Sequence, residues 1–141
     1  MKTQHFGIGV VLLMFTLYAC ETAETEKPSF ESTELNGSWR VSESNSVYKS
    51  INTYDVTISS TSESILSISN FYGLGNASKI NATVDVINYS VSMPRQDFDN
   101  NFILIKGSGN ISDDLNTIRI YYEIDDNSGQ VDQVDATYTR L

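Results

Sequence analysis

The chain is poor in the residues that most often do chemistry. Its 141 residues include one cysteine, one histidine and two prolines. A single cysteine excludes a disulfide within the chain, so stability must come from packing. Cations are also scarce: nine Lys and Arg stand against 18 Asp and Glu, a formal charge of −9 with no basic cluster. That balance argues against nucleic acid and anionic headgroups as partners, since both would be repelled. Long hydrophobic runs are missing too. The longest, "FGIGVVLLMFTL" over residues 6–17, has 12 residues. As a helix it would cover roughly 18 Å, short of a hydrocarbon core of about 30 Å.

Apolar material is nevertheless sufficient for a core. Hydrophobic residues make up 40% of the chain, including eight Tyr, six Phe and one Trp, enough for one folded domain. Lys2 followed by the short apolar run has the make-up of a secretory signal. Directly after it comes Leu17-Tyr18-Ala19-Cys20. These four residues resemble a bacterial lipobox, with Tyr18 departing from the small residue usual at its position. The resemblance implies cleavage between Ala19 and Cys20, a diacylglycerol thioether on Cys20, and acylation of the new amino group. Each buried methylene contributes about 0.8 kcal/mol, so two or more chains hold a soluble domain on a bilayer. Cleavage would also remove Lys2 and His5, leaving 8 Lys and Arg against 18 Asp and Glu and no histidine. A mature chain without imidazole and with its thiol blocked has no Ser-His-Asp or Cys-His nucleophile and no His-ligated zinc. We therefore expect a non-enzymatic protein with no cofactor and no metal.

Residues 21–34, "ETAETEKPSFESTE", carry five glutamates and no apolar period, as a flexible, self-repelling spacer would. Acidic residues behind a lipidated cysteine also resemble the export signals of some Gram-negative surface lipoproteins. A plain spacer has the same composition, so both the periplasmic face and the cell surface stay open. The expected organisation is a signal peptide over 1–19, an acidic flexible tether over 20–34 and a folded domain over 35–141.

From Leu35 onward, β-branched and aromatic residues alternate with Ser, Thr, Asn and Asp at period two. Eight runs read as strands: "LNGSWRVSE", "NTYDVTISS", "SILSISNFY", "KINATVDVI", "YSVSMP", "NFILIKGSGNI", "TIRIYYEID" and "VDATYTRL". Between them lie turn-forming stretches such as "GLGNAS", "QDFDNN", "SDDLN" and "DDNSG". Short connections predict an antiparallel up-and-down meander, closing as a barrel or packing as a β-sandwich. Gly37-Ser38-Trp39 opens the first run and Arg140 ends the last. These residues resemble the Gly-x-Trp motif of lipocalins and the late-strand arginine that stacks on it. The resemblance implies an eight-stranded lipocalin-like barrel with Gly37, Trp39 and Arg140 packed at one closed end. With the lipobox, the chain resembles the small lipocalin-like lipoproteins of Gram-negative bacteria.

Most inward candidates are large, among them Trp39, Tyr54, Ile58, Ile68, Met93, Ile120, Tyr122 and Tyr138, with Ala82 and Ala136 the small ones. A filled interior is expected in preference to a cavity. The loop "NFYGLGNAS" sets Phe71, Tyr72 and Leu74 beside Gly73 and Gly75, a candidate contact for a protein, a glycan or a small apolar ligand. Phe71 equally continues its strand's alternation into the core. Asp125, Asn127 and Gly129 begin like a calcium loop but lack the later ligands, so they read as a hairpin turn. Asp97, Asp99, Asp113 and Asp114 also fall in turns, and the sequons at Asn36, Asn76, Asn81, Asn88 and Asn110 reflect an Asn- and Ser-rich chain. The functional expectation is an outer-membrane lipoprotein, held through Cys20 and acting as a non-enzymatic binding or structural module. The alternative is a carrier of a small apolar ligand inside the barrel.

Overall fold

Strand follows strand in the computed structural model, which describes residues 27–141. The signal segment, Ala19 and Cys20 lie outside the described residues. The elements are β1 (Gly37–Asn45), β2 (Ile51–Ser62), β3 (Ile65–Ser69), β4 (Lys79–Asp85), β5 (Ser90–Met93), β6 (Gln96–Phe98), β7 (Phe102–Ile111), β8 (Thr117–Asp125) and β9 (Val131–Arg140). Period-two burial explains why these stretches are strands. β4 buries Ile80, Ala82 and Val84 and exposes the residues between, and β8 buries Ile118, Ile120, Tyr122 and Ile124 between exposed or partly exposed residues.

All pairings are antiparallel, and β1 pairs with both β2 and β9. β5 pairs with β7 at residues 107–110, and β6 pairs with it at residues 102–104. β5 and β6 thus share one position, and the nine strands form a closed eight-position barrel without a free edge. The expected barrel is the observed one, and the sandwich alternative falls away.

One expected turn is corrected. "QDFDNN" contains β6, and only residues 99–101, all at positive φ, make the turn. Three residues are too few to display a period. Pro94, with no N–H to donate, interrupts the ladder after β5, and the register of β7 shifts between Leu104 and Lys106. Phe98 still reaches the core.

The packed chain also reaches back into the stretch expected as tether. Phe30 packs on Tyr89 at 4.9 Å, the Tyr89 hydroxyl donates to the Pro28 carbonyl (2.8 Å), and Ser32 is buried. Isolated apolar residues in an acidic run have no period to announce them. All of this lies at the barrel end formed by the β2–β3, β4–β5 and β7–β8 turns.

The wall is drawn in along β7. A Cβ on Gly107 would sit 2.9 Å from the Met93 sulfur, and one on Gly109 would strike the Arg119 carbonyl. Only glycine lets the facing strands approach this closely.

Candidate functional site

The two ends of the barrel are built from different chemistry. At the end where β1 begins, Trp39 has no exposed surface and its indole N–H donates to the Leu35 carbonyl (3.0 Å). The Arg140 guanidinium lies 4.5 Å over the indole ring. Its N–H groups donate to the carbonyls of Leu115, Asn36 and Glu34. Gly37 adopts φ +136°, which a side chain would resist, and passes beside Arg140. The structure therefore brings Gly37, Trp39 and Arg140 together. Four of its five N–H groups are thus directed at backbone carbonyls.

At the opposite end the inward alternation turns polar. β1 finishes with Glu43 and Asn45, and β9 begins its inward series with Asp132; these are 2%, 5% and 1% exposed. One oxygen of Glu43 accepts from the hydroxyls of Tyr122 (2.5 Å) and Tyr54 (2.7 Å). Asp132 accepts from Asn45 Nδ2 (2.7 Å), Tyr72 Oη (2.8 Å), Val47 N–H (3.0 Å) and Ser46 Oγ (3.3 Å). Asn45 Nδ2 also donates to Tyr72 Oη (3.0 Å). Beneath them the Tyr138 hydroxyl is buried with no hydrogen-bond partner among the described residues.

The two carboxyls titrate in opposite directions. Burial dominates at Glu43 and pushes its pKa up against the tyrosine hydrogen bonds, with the charge of Asp132 adding to the rise. Burial acts on Asp132 too, but the donors from Val47, Asn45, Tyr72 and Ser46 outweigh it and hold this carboxyl below its ordinary value. Ion pairs among the described residues join Lys27 to Asp113, Arg40 to Asp55 and Lys106 to Glu123. None of them reaches Glu43 or Asp132. Among the described residues no cluster of three or more His, Cys, Asp or Glu is placed to hold a metal.

The loop 70–78 covers this end. Phe71 is fully buried, 5.1 Å from Tyr122 and 5.2 Å from Phe98. Tyr72 is half-buried and lies across the mouth, 6.2 Å from Phe102 and 6.5 Å from Tyr122. Leu74 stays outside, 38% exposed. The three residues expected to form one contact thus divide into core, cover and exterior. Tyr72 is held at φ +59°, a left-handed conformation that costs a bulky residue roughly 1–2 kcal/mol. Asn70 pins the loop, donating to the Asp55 carbonyl and accepting from Gly75 N–H.

Reading the sequence for acids in turns passed over Glu43 and Asp132. The signal was present: Glu43 is in step with Trp39 and Val41, and Asp132 with Val134, Ala136 and Tyr138. Asp97, expected in a turn, is an exposed residue of strand β6, Asp113 and Asp114 are exposed turn residues, and Asp125 and Asp126 accept from backbone N–H groups two residues on, as hairpin-turn aspartates do. Elsewhere, an open groove of about 660 Å³ crosses the outer wall of β5, β7, β8 and β9 beside Arg119, Tyr121 and Asp135.

No protein-family model matches the chain, and no curated protein matches it. Solved structures do. A redesigned beta barrel superposes with a TM-score of 0.55 at 13% identity, covering 79% of this chain and 96% of its own. EF1p2_mFAP2b bound to DFHBI superposes with a TM-score of 0.59 at 11% identity, covering 79% and 98%. The similarity is one of fold: this chain is a closed antiparallel β-barrel.

Proposed function

We propose that the chain is a lipid-anchored envelope lipoprotein whose barrel is a non-enzymatic binding module, working through the end that Tyr72 covers. The observation that carries the binding half is the pair of buried carboxylates, Glu43 and Asp132, lying without a cation among the described residues under a strained aromatic cover. Burial of Glu43, whose pKa it pushes up, costs stability that a domain built only for packing has no reason to give up. The oxygens of both acids are already engaged by tyrosines, amides and backbone, which favours recognition over bond-breaking.

The anchoring half rests on the lipobox-like Leu17-Tyr18-Ala19-Cys20 after a short apolar run. Cys20 precedes Lys27 by seven residues, a reach of at most about 25 Å. The segment after Lys27 packs at the Trp39 end. An anchored barrel would therefore turn its Tyr72 end away from the bilayer, on the periplasmic face or at the cell surface. Radiolabelled palmitate fed to a Gram-negative host expressing the full chain tests this half. Label should enter the wild type and not Cys20→Ala; equal labelling, or none in either, refutes the anchor.

A second reading, a carrier of a small apolar ligand, draws on the likeness in fold to a structure solved with DFHBI bound. Against it, Trp39, Tyr122, Tyr138 and Phe71 fill the interior with no exposed surface. A fluorescent fatty acid should give no saturable signal; saturation with displacement by palmitate would put the carrier reading first.

A further inference from the structure

The barrel wall is not laddered with equal completeness all the way round. β8 and β9 pair along the whole of β8, from residue 117 to residue 125. β4 meets β5 only through Thr83, Val84 and Asp85. Its earlier residues pair with β3 on one side and, among the described residues, with no strand on the other. β6 lies across from them and pairs with β7 alone. Pro94 stands between β5 and β6 and has no N–H with which to carry the ladder on.

One side chain spans this break. Gln96 Oε1 accepts from the Asn81 N–H, and Gln96 Nε2 donates to the Asn81 carbonyl, both at 2.7 Å. These are the two bonds that a facing strand residue would make. The same amide also donates to the Pro94 carbonyl (3.0 Å), which holds it in place. Glutamine suits the position because its carboxamide carries the donor and acceptor of a peptide unit.

We infer that the barrel opens sideways at this seam, between β4 and β6, and that the Gln96 side chain is its latch. The device does not depend on what the Tyr72 end binds.

A side-chain latch is weaker than a ladder. Gln96 must give up its rotamers to make these bonds, whereas a strand already fixed by its other neighbours does not. The bonds are also exposed, where water competes for the same groups. Local opening begins where backbone hydrogen bonds are few and solvated. The two ends offer no such break: Arg140 is tied down over Trp39 at one, and Asn70 pins the covering loop at the other. Release of the latch would part Ile80 and Ala82 of β4 from Met93 and Phe98, all four of them buried. The way into the interior is then through the wall.

Amide hydrogen exchange in the full-length protein at neutral pH, followed residue by residue by NMR, tests the latch. In the wild type the Asn81 amide should exchange at least about ten-fold faster than those of Ile120 and Tyr122, which lie in mid-ladder on β8. Gln96→Ala should speed exchange at Asn81 by roughly a further ten-fold and leave β8 unchanged. Gln96→Glu keeps the acceptor and loses the donor, so it should fall between the two, and it keeps the test decisive if Gln96→Ala fails to fold. Asn81→Ala should exchange at position 81 as the wild type does, because the latch holds only the backbone of that residue. Exchange at Asn81 as slow as on β8, or unchanged by either substitution of Gln96, would overturn the inference. So would an acceleration shared equally by β8, which would make Gln96 a support of the whole fold and not of one seam.

Discussion

The Trp39 end and the Tyr72 end of the barrel use the same kinds of residue to opposite effect. At the first, a cation lies over an aromatic ring and its donors are matched to backbone carbonyls. At the second, aromatic rings surround two carboxylates, and among the described residues no cation pairs with them and one buried hydroxyl has no partner. One end meets its cation with carbonyls and an indole face, and the other meets its carboxylates with hydroxyl, amide and backbone donors. The difference separates what holds the barrel shut from the end through which we propose it binds.

The comparison breaks first at its strongest point. Trp39→Ala removes the largest buried side chain, the Leu35 hydrogen bond and the surface on which Arg140 rests. A loss of about 3–5 kcal/mol is expected by urea denaturation, a large share of the stability of a small domain. A loss below about 1 kcal/mol would mean that this end is not the structural plug. Next comes Asp132→Asn, which removes a charge accepting four donors at the other end and should cost about 1–3 kcal/mol at neutral pH. The carboxyl of Asp132 is held below its ordinary value. Its contribution is therefore present above about pH 4 and is lost as the pH falls below that. Wild type and variant should converge in acid, and melting curves across pH 2–7 read this directly.

The barrel was legible in the sequence because the long strands are buried on one face, so alternation exposed every strand but the shortest. The Trp39 end was legible through Gly37, Trp39 and Arg140, which carry a resemblance at the two ends of the domain. β6 was not, because three residues carry no period and the partner they pair with, β7, is shared with β5. The Tyr72 end was half legible. Its aromatic loop stood out, but Glu43 and Asp132 were hidden by the habit of assigning acids to the outside. Alternation had already placed both inward, and the hydrogen bonds that make this tolerable come from Tyr54, Tyr122, Asn45 and Val47, brought there by other strands and loops. Local pattern gives the direction of a side chain, whereas its partners are a tertiary fact.

Two smaller effects sharpen the contrast. Glu43→Gln should stabilise the protein at pH 7, by about 1 kcal/mol, because both tyrosines donate to a single oxygen that glutamine retains while the buried charge disappears. Because burial pushes the pKa of Glu43 up, its ionisation costs stability as the pH rises through the folded value. The gain from Glu43→Gln should therefore be largest at neutral pH and vanish below about pH 4, where both states are protonated. Opposite signs for two acids in one cluster would show that Asp132 belongs to the framework and that Glu43 is held at a cost. Smallest of all is Tyr138→Phe. Deleting a fully buried hydroxyl that is satisfied normally costs about 1 kcal/mol, whereas deleting an unpartnered one is neutral or slightly stabilising. Thermal melts should place this variant level with wild type or just above it. A fall of several degrees would mean that something already occupies the space beside Tyr138 in the resting protein, and the two ends would then be equally complete.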